Sequence, residues 1–338
     1  METILYLAHT DASDQLPKVA LEALTTAKAL VASLSDATFV AGIFGGSIAS
    51  AADSIAAAGA SRILGVTGEA FAQGRYASDA AAAEAICRAS GATIIIAPAT
   101  SRINRVLAGV AARLQGRADT HGASVTVNDG TIAISRWYYR QRMIATLTRE
   151  QRPWLIAVDP GGVEPWAGAV GKANLEMLDV QVQSRTRVIG EKAPAASQQT
   201  IRPDANLLFV AGAGWCKKQR DGQLHADVAA DLILGFLNTT SASLGSSKSL
   251  VDQAGEGNAV LPFMTHLNQV GQTGSTPRHS KGLAACCHGE EPHVVGWRFV
   301  NERRAINLDP NCGWARGKAD VLYVGDAFEI IAKVNEEF

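Results

Sequence analysis

The sequence predicts an α/β protein of two domains: an N-terminal parallel-sheet domain with an antiparallel excursion, and a C-terminal Rossmann-like, doubly wound domain. Three observations lead there. At 338 residues the chain exceeds the length of an ordinary single domain. Short apolar runs alternate with amphipathic stretches through residues 3–114, as strands and covering helices do in a parallel sheet. After a polar interval, the same alternation starts again at residue 207.

Taken in order, residues 3–8 (TILYLA) have the length and character of a strand. Pro17 opens a helical pattern with Val19, Leu21, Leu24, Ala27 and Leu30 on one stripe; a first helical turn does not need the amide hydrogen that proline lacks. Residues 38–44 read as the next strand, 47–58 as a helix and 62–66 as a strand. Residues 78–89 form an Ala-rich helical pattern with Ser78 as N-cap. The run 93–97 (TIIIA) is wholly apolar and β-branched, as a strand covered on both faces should be, and 104–114 returns to helix. Four short β runs follow, at 124–127, 131–137, 143–148 and 154–158, with Asn128-Asp129-Gly130 as a hairpin signal. All four are assigned to the antiparallel excursion.

From 185 to 203 the chain is polar and aperiodic, with Lys192, Pro194, Gln198, Gln199 and Pro203. A linker at 189–203 then separates domains 1–188 and 204–338. Strands are expected at 207–211, 242–245, 283–287, 304–307 and 320–324, with helices at 225–237 and 326–335.

Composition narrows the function. Hydrophobic residues at 47% and charged residues at 19% describe a globular chain with material for buried cores. The net charge of −1, from 31 basic and 32 acidic residues, gives no basic excess for nucleic acid or an anionic membrane. No run approaches 18 apolar residues, so no membrane insertion is expected. Five cysteines, an odd and sparse set, suit a reducing compartment. The opening Met1-Glu2-Thr3-Ile4 has neither the basic start and apolar core of a signal peptide nor an Arg-rich transit pattern, so a cytoplasmic protein is expected.

Two segments could carry chemistry. The run 207–211 enters a turn, Gly212-Ala213-Gly214, whose glycines would let backbone amides approach a phosphate; a plain tight turn accounts for it as well. The segment Asn268-Gln269-Val270-Gly271-Gln272-Thr273-Gly274-Ser275 concentrates amides, hydroxyls and glycine backbone, an inventory suited to a pyrophosphate or a heterocycle edge, and equally to a polar surface loop.

Gln269–Gly274 (QVGQTG) resembles the flavin signature of electron-transfer flavoprotein α subunits. The likeness runs along nearly the whole chain. Gly212-Ala213-Gly214 stands where the family has Gly-Arg-Gly, and Gly245-Ser246-Ser247-Lys248 where it has Gly-Ala-Ser-Arg. Ala305-Ile306-Asn307 with Asp309-Pro310, and Ala319-Asp320 with Val324-Gly325-Asp326, are similar to two further family segments, and Ala97-Pro98-Ala99-Thr100 to one in the N-terminal domain.

The resemblance implies an electron carrier without substrate turnover of its own. In that family the N-terminal domain packs on a homologous β subunit, and the C-terminal domain holds FAD. The heterodimer carries electrons from a flavoprotein dehydrogenase to a quinone oxidoreductase. Carried over by position, Gln272 and Thr273 contact the flavin or its linker, Asn307 and Asp326 sit at the adenosine end, and Gly271 and Gly274 admit the backbone. Gly212, Ala213, Gly214, Lys248, Gln269, Val270, His288, Gly289 and His293 complete the expected site.

Departures from the family pattern keep a second reading open, a dimerisation subunit that lost the flavin. Ala213 lacks a guanidinium, and Lys248 keeps charge without the planar fork. In the stretch His288-Gly289-Glu290-Glu291-Pro292-His293, proline removes a backbone donor and two acidic residues enter near the expected ring. Cys286-Cys287-His288 with His293 could suggest a metal site, but adjacent side chains on a strand point to opposite faces and no second cysteine pair exists, so Cys286 and Cys287 are read as buried strand-end cysteines. The run Tyr138–Arg142 is read as a solvated or inter-subunit hairpin rather than a nucleic-acid surface.

Overall fold

The computed structural model describes residues 1–138, 143–190, 201–202, 205–253, 260–270, 279–285, 297 and 300–337. The chain divides into two compact units, Met1–Glu191 and Lys192–Phe338.

In the first unit, nine strands form one sheet: β1 (Glu2–His9), β2 (Ala37–Gly45), β3 (Arg62–Thr67), β4 (Ile94–Pro98), β5 (Arg117–Asn128), β6 (Thr131–Tyr138), β7 (Met143–Thr148), β8 (Trp154–Val158) and β9 (Leu175–Met177). Their order is β7-β6-β5-β8-β4-β1-β2-β3-β9. Every pairing from β5 through β9 along that order is parallel; β5, β6 and β7 are antiparallel. Alternate residues of the central strands feed two cores, as the period of a strand requires. On β1, Ile4, Tyr6 and Ala8 join the core beneath the helix Lys18–Ala32, while Leu5 and Leu7 join the one beneath the helices Tyr76–Ser90 and Ser101–Arg113.

The excursion is narrower than expected. β8 is not part of it: the strand inserts between β4 and β5, parallel to both, and all five residues are buried. A wholly apolar run without alternation is the mark of an interior parallel strand, and it outweighs proximity to a hairpin. β5 also starts earlier than predicted. Its first residues pair with β8, a bulge follows at His121 (φ 59°), and the rest pairs with β6. The predicted helix 47–58 is a helix at Ala49–Ser54 and a separate 3₁₀ turn at Ala56–Ala58. Ser78 lies inside its helix, which begins at Tyr76. The next helix begins at Ser101 because the Thr100 side chain caps the amide of Ile103.

The second unit holds five parallel strands, β10 (Leu207–Ala211), β11 (Ser243–Ser246), β12 (His279–Ala285), β13 (Val300–Asn307) and β14 (Val321–Val324), in the order β11-β10-β12-β13-β14. The helices Ala226–Thr240 and Ala327–Glu337 cover the face carrying Phe209, Leu244 and Ile306. Leu208, Val210, Trp297 and Trp314 form the core of the other face. The sheet is doubly wound as predicted, with the flavodoxin-like order, so the winding reverses between β10 and β12 and opens a crevice at their carboxyl ends. β12 starts four residues before the expected 283, and β13 four before 304.

Candidate functional site

The carboxyl ends of β10, β13 and β14 meet around a cleft of about 320 Å³. Gly214, Asn307, Gly325 and Asp326 line it, together with the apolar Ile306 and Leu308. At the β10 end, the Gly212 amide donates to the Ala285 carbonyl at 2.8 Å, and the chain turns through a 3₁₀ helix, Ala213–Cys216. Asn307 ends β13, nearly buried, and its Oδ1 accepts from the Asp309 amide at 2.9 Å. Asp326 follows β14 and starts the helix Ala327–Glu337. Its Oδ1 accepts from the Phe328 amide at 2.8 Å, and its second oxygen has no hydrogen bond among the described residues.

Beside β11 lies a second polar element. The Val270 amide donates to the Ser246 carbonyl at 3.1 Å, joining Gln269 to Ser246 as a parallel bridge. Residues paired in this way point to the same face of the sheet. Among the described residues, the Ser246 hydroxyl and both polar atoms of the Gln269 amide are buried without a hydrogen-bond partner. Such groups cost about 1–3 kcal/mol each when left unsatisfied. Gly245 permits the close approach: a Cβ there would lie 2.5 Å from Val270 Cγ2.

The other expected residues divide three ways. Ala213 is fully buried in its turn. Lys248 opens the helix Lys248–Asp252 and is ion-paired to Asp252 at 3.2 Å, well exposed to solvent. Gly271, Gln272, Thr273, Gly274, His288, Gly289 and His293 lie outside the described residues, as do Cys286, Cys287 and residues 139–142. The structure thus brings Gly214, Asn307 and Asp326 into one cleft. Lys217, Lys218, Gln219 and Arg220 line the same cleft and were not anticipated. The signal available was a basic run (KKQR) beginning three residues past the Gly-x-Gly turn.

Among the described residues, no group of three or more His, Cys, Asp or Glu side chains could hold a metal ion, and no helix is long and apolar enough to cross a membrane. Cys87, Cys216 and Cys312 are buried free thiols; burial pushes the Cys87 thiol up to about 12.

The available groups fit an adenine dinucleotide such as FAD. Asp326 offers a free carboxylate oxygen, the half-buried Leu308 offers a face for a ring, and the Ser246 and Gln269 groups, unpaired among the described residues, offer donors and acceptors.

These features define an α/β protein of two units, the second bearing a cleft at the carboxyl edge of a doubly wound sheet. Residues 4–183 match the electron transfer flavoprotein domain. The chain belongs to the electron transfer flavoprotein α-subunit family, a family of flavoprotein electron carriers. It is 22% identical over 230 residues to the electron transfer flavoprotein subunit alpha of Bacillus subtilis, spanning 68% of this chain and 65% of that protein. It is 26% identical over 218 residues to Protein FixB of Rhizobium meliloti, spanning 62% and 56%. The subunit alpha of Syntrophomonas wolfei is 25% identical over 232 residues, spanning 68% and 67%. The matches therefore span about two thirds or less of those relatives' lengths.

Proposed function

We propose that this chain binds FAD in its C-terminal unit and, as a heterodimer with a β subunit, passes electrons from a flavoprotein dehydrogenase to a quinone oxidoreductase or another acceptor. Family membership supports the carrier role, and the names of the relatives as α subunits support a partner chain. The observation that carries the cofactor assignment is the buried, unpartnered Gln269 amide beside the Ser246 hydroxyl, within the segment that resembles the flavin signature.

When bound, FAD supplies the one- and two-electron chemistry. The chain's own residues bind and orient it. Asp326 accepts a hydrogen bond at the adenosine end while its other oxygen keeps the helix start in place. Asn307 presents a fixed amide, because Asp309 already holds its Oδ1. The domains are read as 1–188 for β-subunit pairing and 204–338 for FAD.

The test is co-expression with a β-type chain. The purified heterodimer is expected to be yellow and to release FAD on denaturation. A colourless heterodimer that takes up no added FAD would support the dimerisation subunit instead, a reading that buried Ala213 and solvent-paired Lys248 favour.

A further inference from the structure

The cleft in the second unit carries positive charge just past the Gly-x-Gly turn. Ala213, within that turn, is buried, and Lys248 is ion-paired to Asp252 and absent from the cleft lining. Three basic residues in four positions, Lys217, Lys218 and Arg220, line the cleft. Neither Lys218 nor Arg220 makes an ion pair among the described residues. The nearest carboxylate in sequence, Asp221, is held by His225 Nε2 at 2.7 Å. Gln219 is fixed as a spacer: its Nε2 donates to the carbonyls of Lys217 at 2.7 Å and Gly214 at 3.0 Å, which ties the basic loop to the Gly-x-Gly turn.

Cations held over the carboxyl end of a parallel strand suit a polyanion of fixed, short charge spacing, and lysine and arginine bonds to phosphate are of the strong, charge-assisted kind. Across the cleft are the free oxygen of Asp326, which suits a ribose, and the half-buried Leu308, which suits a purine face. We propose that Lys217, Lys218 and Arg220 are the diphosphate grip of this site, so that the adenosine diphosphate half carries most of the affinity and ADP alone occupies the cleft. The proposal rests on the FAD reading above, and goes beyond it in assigning the cations and a free ligand.

The experiment is calorimetric titration of the full chain, with its β-type partner where the two copurify, after removal of flavin. ADP is expected to bind and to compete with FAD, AMP to bind roughly tenfold or more weakly, and FMN, which lacks the adenosine half, not to displace ADP. The variants Lys218→Glu and Arg220→Glu change exposed loop residues and are expected to keep the wild-type melting temperature. Each should weaken ADP by about 10- to 100-fold, the range for losing a charged hydrogen bond, with a smaller change for AMP. ADP affinity unchanged in both variants, or equal affinity for ADP and AMP, would overturn the cation assignment while retained FAD left the cofactor reading standing. Failure of wild type to bind either FAD or ADP would overturn both.

Discussion

Arg102 grips Asp79 with two hydrogen bonds, Nε to Oδ2 at 2.9 Å and Nη2 to Oδ1 at 2.7 Å, and the carboxylate is fully buried. The pair locks the helix Ser101–Arg113 to the helix Tyr76–Ser90, and Arg102 also donates to the Phe71 carbonyl. Removing one partner strands the other charge away from water. Asp79→Ala should destabilise the first unit by about 3–5 kcal/mol, read as a lower denaturation midpoint. A loss under about 1 kcal/mol would show that Arg102 finds solvent when released.

A pH dependence follows from His9, at the carboxyl end of β1. Its Nδ1 lies 2.8 Å from the Thr10 carbonyl, which can only accept, so Nδ1 carries the proton; Nε2 then accepts from the Thr100 hydroxyl at 2.9 Å. Burial holds the imidazole below its ordinary value of 6.5. Between the folded value and 6.5 the unfolded chain binds more protons, so this group's contribution is present above 6.5 and lost as pH falls through the folded value. His121 has the opposite sign. The Asp159 carboxylate, 3.6 Å from its Nδ1, raises it, giving stability that is present below 6.5 and lost as pH rises through its folded value. Denaturation of wild type and His9→Gln from pH 7 to 5 should show the steeper loss in wild type. Parallel profiles would remove His9 as the cause.

Asp326 caps its own helix and, in the proposed site, also holds FAD, so Asp326→Ala conflates two losses. The cap lost at Phe328 should cost about 1 kcal/mol of stability, and the unfilled contact about 1–3 kcal/mol of FAD retention. Asp326→Ser keeps a capping oxygen and gives up the second one. It should melt within about 1 °C of wild type, a shift that corresponds to a small fraction of 1 kcal/mol in a unit of this size, and still lose flavin on dialysis. Undiminished flavin in Asp326→Ser would place residue 326 outside the ligand's reach.

The orphaned amide at 269 makes a prediction of opposite signs in two states. Gln269→Met keeps volume and removes an unsatisfied buried polar group, so the flavin-free protein should gain roughly 1 kcal/mol. The same substitution should weaken FAD. A variant that loses stability in the flavin-free state would mean that the amide already has a partner there.

The apolar interior of each sheet was legible because burial on two faces leaves an unmistakable residue pattern. Residues 93–97 and 207–211 became β4 and β10 nearly to the residue. The same pattern at 154–158 was misassigned by its neighbours, since local sequence carries turn chemistry but not the long-range partner that β8 finds in β4. β9, three residues on an edge, is too short for any period to show. At the site, Asn307 and Asp326 stood out only through resemblance. Lys217, Lys218 and Arg220 passed as ordinary surface charge, because composition cannot say that a basic run hangs over a strand end.

The insertion of β8 has a consequence for biosynthesis. β5 emerges from the ribosome before β8, yet its place in the sheet is separated from β4 by a gap only β8 can fill. A nascent chain that lacks β8 therefore carries two bare edges, on β4 and on the first residues of β5, that can join directly. Direct joining would shift the hairpin by one strand position and leave Trp154 and its neighbours outside. The correct sheet can close only once Val158 is free of the ribosome. Pauses in translation just after that moment should raise the yield of native protein, and pauses that hold β8 back while β4 and β5 are free should lower it.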